Sequence, residues 1–264
     1  VIYSVADIDK RVRNKSLKIL KANNIKVKKG LFEDKINNFY STYFFNRKNQ
    51  LPYVTGKIAV SKNNLIYSKL DKKITNKHSD KFTHLLRYKN DALMVSYKTL
   101  NKDNSKLNCR IKGFSNYSPK RIILDNKLQT KINSYVIKTA NKDNTIIFYN
   151  QADKSKIFDF KKKKIQLIKS KVNEQGKFDV KAILKKLYSF NCRNLLIEGG
   201  DSLTNHLLKN RIFNKFYLYK SPKNISKETE YLEFNSLDIL KKNYKNKFNL
   251  NLFLGKDKIT LYKN

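Results

Sequence analysis

The sequence is poor in the residues that build disulfide frameworks, metal centres and membrane helices. It has two cysteines, three histidines and no tryptophan among 264 residues. Two cysteines, Cys109 and Cys192, do not make a disulfide scaffold, which favours a cytoplasmic location. The histidines are scattered, so we predict no metal site. No apolar run approaches the ~20 residues of a membrane helix, and the first residues do not resemble a signal peptide.

Acidic residues are also scarce. Asp and Glu number 21 against 58 Lys and Arg, which gives a formal net charge of +37. Lys accounts for 50 of the basic residues and Arg for eight, while Asn reaches 33 and Ala and Gly stand at seven each. This bias is typical of an AT-rich genome. We therefore interpret most of the charge as Lys on solvated surfaces, with a nucleic-acid surface as the alternative. The few Arg and Gly residues are therefore more informative about function than the many Lys residues.

Short apolar segments alternate with helical patterns along most of the chain. The spans 1–6, 14–24, 25–27 and 32–47 predict a strand, a helix capped by Asn14, a strand and an amphipathic helix. Further strands are predicted at 53–60, 91–95, 121–124, 135–138, 145–149, 194–197 and 213–219. Helices are predicted at 77–88, 178–188 and 202–209, a closing hairpin at 250–254 and 258–262, and no structure is assigned to 223–247. The alternation predicts an α/β domain with a mostly parallel sheet.

One segment combines a buried strand, an acidic residue and the only Gly-Gly pair of the chain. It reads Asn-Leu-Leu-Ile-Glu-Gly-Gly-Asp-Ser-Leu-Thr from Asn194 to Thr204. Glycines there let a ligand approach the backbone, and the N-terminus of the following helix suits a phosphate. A tight strand-to-helix turn without a ligand is equally compatible with this segment alone.

A second set of candidate residues runs from the strand after Pro52 to Arg110. Two of the eight arginines, Arg87 and Arg110, fall in this region. Arg can grip a phosphate through two parallel hydrogen bonds. Each also has a structural interpretation, since Arg87 ends a predicted helix, where a cation favours the dipole, and Arg110 can lie on a loop.

Taken in order, these motifs resemble a known family. Pro-Tyr-Val-x-x-Lys-x-Ala, Ile-Thr, Leu-Arg, Asp-Ala-x-x-Val, Arg-Ile-Ile-Leu-Asp and Ile-Glu-Gly-Gly follow one another between residues 52 and 222. This order is similar to the reductase domain of the bifunctional riboflavin-biosynthesis deaminase/reductase. The resemblance implies a dihydrofolate-reductase-like α/β fold over 51–264. Residues 1–50 would be the C-terminal β-α-β-α remnant of a cytidine-deaminase-like domain with its linker.

The resemblance also implies an activity and a partner. The family reduces 5-amino-6-(5-phosphoribosylamino)uracil to its ribitylamino product with NADPH, and its members form homodimers. The zinc-binding motifs of the deaminase are not in this sequence, and the only methionine is Met94. We therefore expect a reductase without deaminase activity whose natural start, with a possible deaminase domain, lies upstream. The expected partner is a phosphoribosylaminopyrimidine, not nucleic acid or a membrane.

Site residues follow from the resemblance position by position. The residues implied to take part in catalysis are Lys57, Asp103 and Glu198. Those implied to bind substrate are Arg87, Leu107, Arg110 and Glu198, with the two arginines at its 5′-phosphate. Those implied to bind the cofactor are Ala59, Thr99, Asp103, Asn126, Gly200, Asp201, Ser202, Leu203 and Thr204.

The sequence departs from the family pattern at three places near these residues. Asn64 stands where the family has Gly, which is tolerable if Asn64 adopts the left-handed conformation. Lys73 replaces an aromatic residue, usually Trp, and Asp71 replaces a Ser that contacts substrate in the family. These changes leave open a second hypothesis, a catalytically weakened reductase fold kept as the partner of a deaminase. A basic nucleic-acid-binding module is the third.

Overall fold

The computed structural model describes residues 1–9, 11–71 and 73–263 and divides into two compact units. The smaller unit comprises residues 1–53 and 184–193, and the larger unit comprises 54–183 and the chain from 194 onward. Within the described residues, no helix is long and apolar enough to cross a membrane.

The smaller unit begins with two very short parallel strands and three helices. They are β1 (Ile2–Tyr3), α1 (Lys15–Ala22), β2 (Lys28–Lys29), α2 (Glu33–Phe39) and α3 (Ser41–Asn49). The single helix predicted over 32–47 is wrong, because the chain breaks at Tyr40 between α2 and α3. Asn37 and Asn38 just before the break are weak helix formers. Asn14 precedes α1 as predicted, but its side chain makes no capping hydrogen bond.

A nine-stranded sheet forms the centre of the larger unit in the part of the chain that the structure describes. Its strands in chain order are β3 (Tyr53–Val60), β5 (Ala92–Ser96), β6 (Lys120–Leu124), β7 (Thr145–Tyr149), β8 (Gln166–Lys169), β9 (Asn194–Glu198), β10 (Lys215–Lys220), β12 (Asn246–Asn249) and β13 (Lys258–Lys263). A separate two-stranded ribbon pairs β4 (Leu65–Ser68) with β11 (Tyr231–Glu233). The connecting helices are α4 (Lys77–Tyr88), α5 (Tyr97–Asp103), α6 (Tyr135–Lys138), α7 (Lys154–Lys162), α8 (Val180–Ser189), α9 (Asp201–Lys209) and α10 (Leu237–Asn243).

The sheet order explains where a ligand can enter. The strands lie in the order β12-β13-β10-β3-β9-β5-β6-β7-β8. Strands β5 to β8 are parallel neighbours, β9 is parallel to β5, and β10 is parallel to β3. Strand β13 runs antiparallel to both of its neighbours, β10 and β12. The predicted mostly parallel α/β sheet is therefore confirmed. The chain builds outward to β8, returns to insert β9 beside β5 and continues on the other side of β3, a reversal at which α/β proteins bind ligands.

Most predicted elements of the larger unit form within one or two residues, and three predictions fail. The predicted strand at 135–138 is helix α6, because Ser134 begins a turn that closes through Lys138 N–H to Ser134 O. The closing hairpin forms, but its first strand is β12 and not 250–254. The unassigned segment 223–247 holds β11, α10 and the first half of β12. Elements β4, α5, α7 and β8 also had no prediction.

The core lies between the sheet and its helices and is filled by branched aliphatic and aromatic side chains. Leu93, Met94, Ile122 and Ile147 are fully buried in the central strands. Gly56 in β3 lets the ring of Phe216 pack directly against the strand backbone, since a Cβ added at Gly56 would lie 2.2 Å from Phe216 Cδ2. Apolar packing on both faces fixes the strand positions and thereby the residues at their carboxyl ends.

Candidate active site

A cleft of about 470 Å³ opens at the carboxyl ends of β3, β5 and β9. Most of the residues implied by the sequence to bind or react line it together: Lys57, Ala59, Thr99, Asp103, Glu198, Gly200, Asp201, Ser202 and Leu203. The β4–β11 ribbon closes one wall with Ile66, Tyr67, Leu232 and Glu233. Residues from distant parts of the sequence thus meet in one concave, partly apolar site, as small-molecule sites require.

A second cleft of about 170 Å³ adjoins the first. Ser96, Lys98, Ser202 and Leu203 line both clefts, so the two are neighbours. Asn126, also expected to bind cofactor, lies in the second cleft with Lys177 and His206. Both clefts therefore have lysines on their walls.

Glu198 ends β9 and is held in place by Arg87 of helix α4. Arg87 Nε and Nη2 donate to the two carboxylate oxygens, each at 2.8 Å. The Glu198 side chain is 16% exposed. Burial alone would raise the pKa of Glu198, but the charge and hydrogen bonds of Arg87, assisted by Lys57, lower it to about 2. The carboxylate therefore stays ionised at neutral pH at the wall of the cleft.

Lys57 lies on β3 with its Nζ 4.7 Å from the ring centroid of Tyr219. Desolvation lowers the pKa of Lys57, while the negative charge of Glu198 opposes that effect. A lysine whose charged form is destabilised gives up a proton more readily than a surface lysine. Lys57 can therefore hold or release a proton beside the Glu198 carboxylate.

Asp103 lies at the C-terminal end of α5, open to the cleft. Partial desolvation by the surrounding protein raises the pKa of its carboxyl group, with Lys102 acting in the opposite direction. A carboxyl group with a raised pKa exchanges protons closer to neutral pH. Thr99, one turn earlier, donates its backbone N–H to Ser96 Oγ, and its own Oγ1 lies 3.1 Å from the same hydroxyl.

Three predicted substrate residues do not line either cleft. Arg87 is 9% exposed and hydrogen-bonded to its partners, and Leu107 is 2% exposed. Leu107 has a positive φ of 52°, which turns the chain sharply before Asn108. Arg110 is exposed, and its Nη1 donates to Asn108 Oδ1 at 3.2 Å. The segment 107–110 thus presents only Arg110 as a cation reachable from solvent.

Helix α9 begins at the Gly-Gly turn. Gly200 is its N-cap, with an ordinary φ of −72°, and an added Cβ would meet only Thr99 Oγ1 at 3.8 Å. Neither backbone conformation nor packing requires glycine there. Asp201 accepts hydrogen bonds from Ser236 Oγ and Asn235 N–H, so its side chain anchors the segment after β11. Thr204 is buried inside α9 and away from both clefts.

The three departures from the family pattern have local structural accounts. Asn64 has φ 59°, so the condition for replacing glycine at this turn is met. Asp71 accepts a hydrogen bond from Ser226 N–H at 2.7 Å and holds the chain beyond β10. Lys73 is exposed and pairs with Asp80 at 3.4 Å. None of these residues lines either cleft.

The sequence analysis missed several residues of the clefts. They are Ser96, Lys98, Tyr67, Leu232, Lys177 and His206. Ser96 ends β5, and the rule that ligands bind outside the carboxyl ends of parallel strands would have selected it and the nearby Lys98. Tyr67 and Leu232 belong to the β4–β11 ribbon, whose pairing spans more than 160 residues and leaves no local signal.

The chain is similar to known proteins over most of its length. Residues 56–243 match the family described as the RibD C-terminal domain. The chain is 26% identical over 225 residues to the riboflavin biosynthesis protein RibD of Aquifex aeolicus, covering 84% of this chain and 61% of that protein. It is 27% identical over 168 residues to the 5-amino-6-(5-phosphoribosylamino)uracil reductase of Buchnera aphidicola, covering 60% of this chain and 78% of that protein.

Structural similarity extends further along the chain. Acinetobacter baumannii RibD superposes with a TM-score of 0.77 at 18% identity, covering 99% of this chain and 72% of that one. This likeness shows a shared α/β fold. The chain spans about 60% of the length of the RibD relatives that it matches in sequence.

Proposed function

The chain belongs to the RibD C-terminal domain family, and from that premise we propose that it reduces 5-amino-6-(5-phosphoribosylamino)uracil to the ribitylamino compound, with NADPH as the electron donor. The observation that carries the proposal is the cleft at the ends of β3, β5 and β9. It gathers an ionised carboxylate, a desolvated lysine and a glycine-flanked helix N-terminus. The Buchnera aphidicola relative bears the name of this reductase.

The residues present fit a nicotinamide dinucleotide. Such a cofactor is elongated and anionic, and two neighbouring clefts with Lys98 on the wall shared by both could each hold one part of it. The position of Gly200 leaves room for a ligand against the start of α9, where backbone N–H groups face phosphates favourably. Asn126 and His206 would lie along the second cleft. When bound, the cofactor supplies the hydride.

The chain's own groups would bind and orient the sugar. Glu198, ionised and fixed by Arg87, accepts hydrogen bonds from ribose hydroxyls in this proposal. Lys57 would hold a proton on Nζ near the reacting carbon and give it up when the sugar ring opens or the product forms. Asp103, with its raised pKa, is the second group able to move a proton in the cleft. Arg110, exposed and cationic, is proposed to meet the 5′-phosphate.

Several expectations that follow from the family resemblance remain proposals. They are a homodimer, a cytoplasmic location, and an origin of residues 1–50 in a deaminase domain that continues upstream. The preference for NADPH over NADH is another, with Lys98 and Lys177, which line the second cleft, as the proposed partners of a 2′-phosphate.

The test is a spectrophotometric assay of the purified chain with NADPH and the deaminated substrate, with NADH as control. We expect substrate-dependent loss of the reduced-nicotinamide absorbance that favours NADPH. Arg121→Met is a matched control, because it changes a buried arginine outside both clefts and should turn over normally. A folded chain that binds NADPH and substrate without oxidising the cofactor contradicts the proposal and supports the weakened-partner hypothesis.

Cofactor binding has its own test at Gly200. Gly200→Ser keeps a good N-cap and adds atoms where only Thr99 is near, so the melting temperature should change little. We expect its affinity for NADPH, followed by fluorescence titration, to fall about tenfold or more, since about 1.4 kcal/mol of lost contact suffices. Unchanged affinity would remove the Gly-Gly turn from the cofactor site.

A further inference from the structure

The β4–β11 ribbon lines the first cleft without belonging to the central sheet. Its two strands pair with each other and, among the described residues, with no strand of the nine-stranded sheet. The pairing is short, and its register shifts between Leu232 and Glu233. A two-stranded ribbon is marginally stable on its own in water. Tyr67 and Leu232 lie opposite each other in the ribbon and both line the cleft, so the shape of the cleft depends on what holds the ribbon in place.

Lys102 of helix α5 contacts both segments of this ribbon. Its Nζ lies 4.1 Å from the centroid of the Tyr67 ring in β4 and forms an ion pair with Glu230, the residue before β11. The backbone of Glu230 is in turn fixed to the chain after β4, because Lys69 N–H donates to the Glu230 carbonyl at 2.9 Å. Lys102 itself lines the cleft. One ammonium group therefore joins the helix that carries Asp103 to the ribbon, and we call its contacts with Tyr67 and Glu230 the Lys102 bridge.

The bridge combines two contacts that are weak when each stands alone. The Glu230 side chain is 60% exposed, and an ion pair with an exposed carboxylate contributes little because water competes for both charges. The Lys102 side chain is only 23% exposed, and an aromatic ring attracts a cation more strongly as the cation loses water. The hydrogen bond and charge of Lys102 lower the pKa of Glu230, so the pair is ionised at neutral pH. A link of this strength suits a wall that opens when a ligand enters or leaves.

We propose that Lys102 is a positioning residue of the cleft: its ammonium, held by the Tyr67 ring and the Glu230 carboxylate, fixes the β4–β11 ribbon to helix α5 and thereby slows the release of a bound ligand. The effect on ligand release rests on the proposed binding of NADPH. The effect on the ribbon does not, because the bridge is made by the chain alone.

Hydrogen exchange of the ligand-free chain tests the effect on the ribbon. Lys102→Met keeps a long side chain without its charge, and Glu230→Gln removes the other charge of the pair. In both variants the amides of 65–69 and 230–234 should exchange about fivefold faster or more, because the ribbon opens more often. The double variant should exchange no faster than Lys102→Met, since the two residues act through one contact. Exchange at the wild-type rate in Lys102→Met overturns the proposal.

Lys227→Met is the matched control. Lys227 also pairs with a glutamate, Glu233, and lies 5.4 Å from the centroid of a tyrosine ring, Tyr231, but all three belong to one stretch of chain. Its loss should leave the exchange of 65–69 unchanged, and equal acceleration there would contradict a specific role of the bridge. Lys102→Arg keeps a cation that can stack on a ring and bind a carboxylate, so it should exchange at the wild-type rate. A Lys102→Arg variant as fast as Lys102→Met would show that the charge has no part in holding the ribbon, against the proposal.

Release of NADPH, followed by stopped-flow fluorescence, tests the effect on the ligand. The dissociation rate should rise about fivefold or more in Lys102→Met and in Glu230→Gln. Glu230 lines neither cleft, so a Lys102 that only binds the cofactor directly would hold it as well or better once Glu230→Gln frees the ammonium. Slower or unchanged release in Glu230→Gln therefore contradicts the proposal. Turnover is not used as the measure, since the Lys102 charge also lowers the pKa of Asp103. If Lys102→Met loosens the ribbon and the wild-type chain does not bind NADPH, the proposed function fails and the positioning of the ribbon by Lys102 stands.

Discussion

Two arginines are buried in the larger unit, and their surroundings differ in one respect. Arg87 meets a carboxylate, whereas Arg121 in β6 meets only neutral oxygens. Arg121 binds Thr145 Oγ1, Thr139 Oγ1, the Thr139 carbonyl and Asn144 Oδ1, at 2.8–3.0 Å. Arg87 lies beside the cleft, while Arg121 lies at the amino-terminal end of its strand pair with β7. Both positions hold arginine in a sequence that has eight arginines against 50 lysines.

The difference shows how one side chain can serve a site or a scaffold. Desolvation lowers the pKa of Arg121, and Tyr135 offsets that effect only in part. The pKa of Arg87 is raised, since Glu198 outweighs the effect of desolvation. The guanidinium of Arg121 joins α6 to β7 through neutral oxygens, so it stabilises no neighbouring negative charge. The guanidinium of Arg87 binds the Glu198 carboxylate and keeps it ionised at the wall of the cleft. An ionised carboxylate in a cleft is a group that a reaction can use.

The largest expected effect is at Glu198. Glu198→Gln leaves the Arg87 guanidinium buried without a counter-charge, which costs about 3–5 kcal/mol of unfolding free energy near neutral pH. Under the proposed function, turnover should fall as well, because an amide cannot accept from two ribose hydroxyls as a carboxylate does. Urea unfolding at pH 7 and the NADPH assay measure the two effects. A variant with wild-type stability would show that the pair is worth no more than a surface ion pair.

The second largest effect should be a difference between the two arginines in how the free energy of unfolding depends on pH. The pKa of Glu198 is about 2 in the folded chain and 4.5 for a free side chain. A lowered carboxyl pKa gives stability that is full above about pH 5 and is lost as the pH falls towards 2, up to about 3 kcal/mol. Urea midpoints from pH 7 to pH 3 should therefore fall less in Glu198→Gln than in wild type. Arg121→Met should keep the wild-type slope, since no group bound to Arg121 titrates in this range; a flattened slope there would break the comparison.

Removing Arg121 itself should cost less than removing Glu198. Arg121→Met leaves Thr145 Oγ1 without the donor that Arg121 supplies, and such a loss in a buried place costs about 1–3 kcal/mol. Asn144 Oδ1 keeps the donors Asn141 N–H and Thr145 Oγ1. The substitution also removes a desolvated charge, which partly offsets the loss. We expect a lower melting temperature with unchanged kcat and KM. A change in KM for NADPH in a variant that remains folded would mean that β6 transmits strain to Asn126 at the second cleft.

Much of the fold was predictable because local signals agree with the tertiary structure. The strand over 53–60, the helix over 77–88 and the strand over 145–149 form at the predicted residues, since apolar runs and a good N-cap at Asn76 point the same way. The predicted strand at 135–138 failed because four apolar and β-branched residues suit a buried helical turn equally well. The β4–β11 ribbon and β12 depend on partners far along the chain, which no local pattern reveals.

Part of the set of residues that line the candidate site was predictable, whereas the contacts between them were not. The ordered motifs selected Lys57, Asp103 and Glu198, and the structure brings these three to one cleft. The motifs did not reveal that the Arg87 side chain points to Glu198, because an arginine at the end of a helix is equally stable when it is exposed to solvent. Nor did it reveal that Asp201 is occupied by Ser236, a contact set by the packing of two distant segments.

The smallest effects compare two hydroxyls that bind the same arginine. Thr145 is fully buried and Thr139 is exposed, and each accepts from Arg121 through its Oγ1, at 3.0 and 2.8 Å. Thr145→Val leaves a buried donor unpaired and should lower the unfolding free energy by about 1–3 kcal/mol. Thr139→Val lets water replace the lost hydroxyl and should stay within about 0.5 kcal/mol of wild type. Urea unfolding distinguishes them, and equal losses would mean that water does not reach Arg121 from the Thr139 side. In that case the neutral oxygens around Arg121 are as closed to solvent as the Arg87–Glu198 ion pair. Burial alone would then not distinguish the arginine that lies beside the cleft from the one that does not.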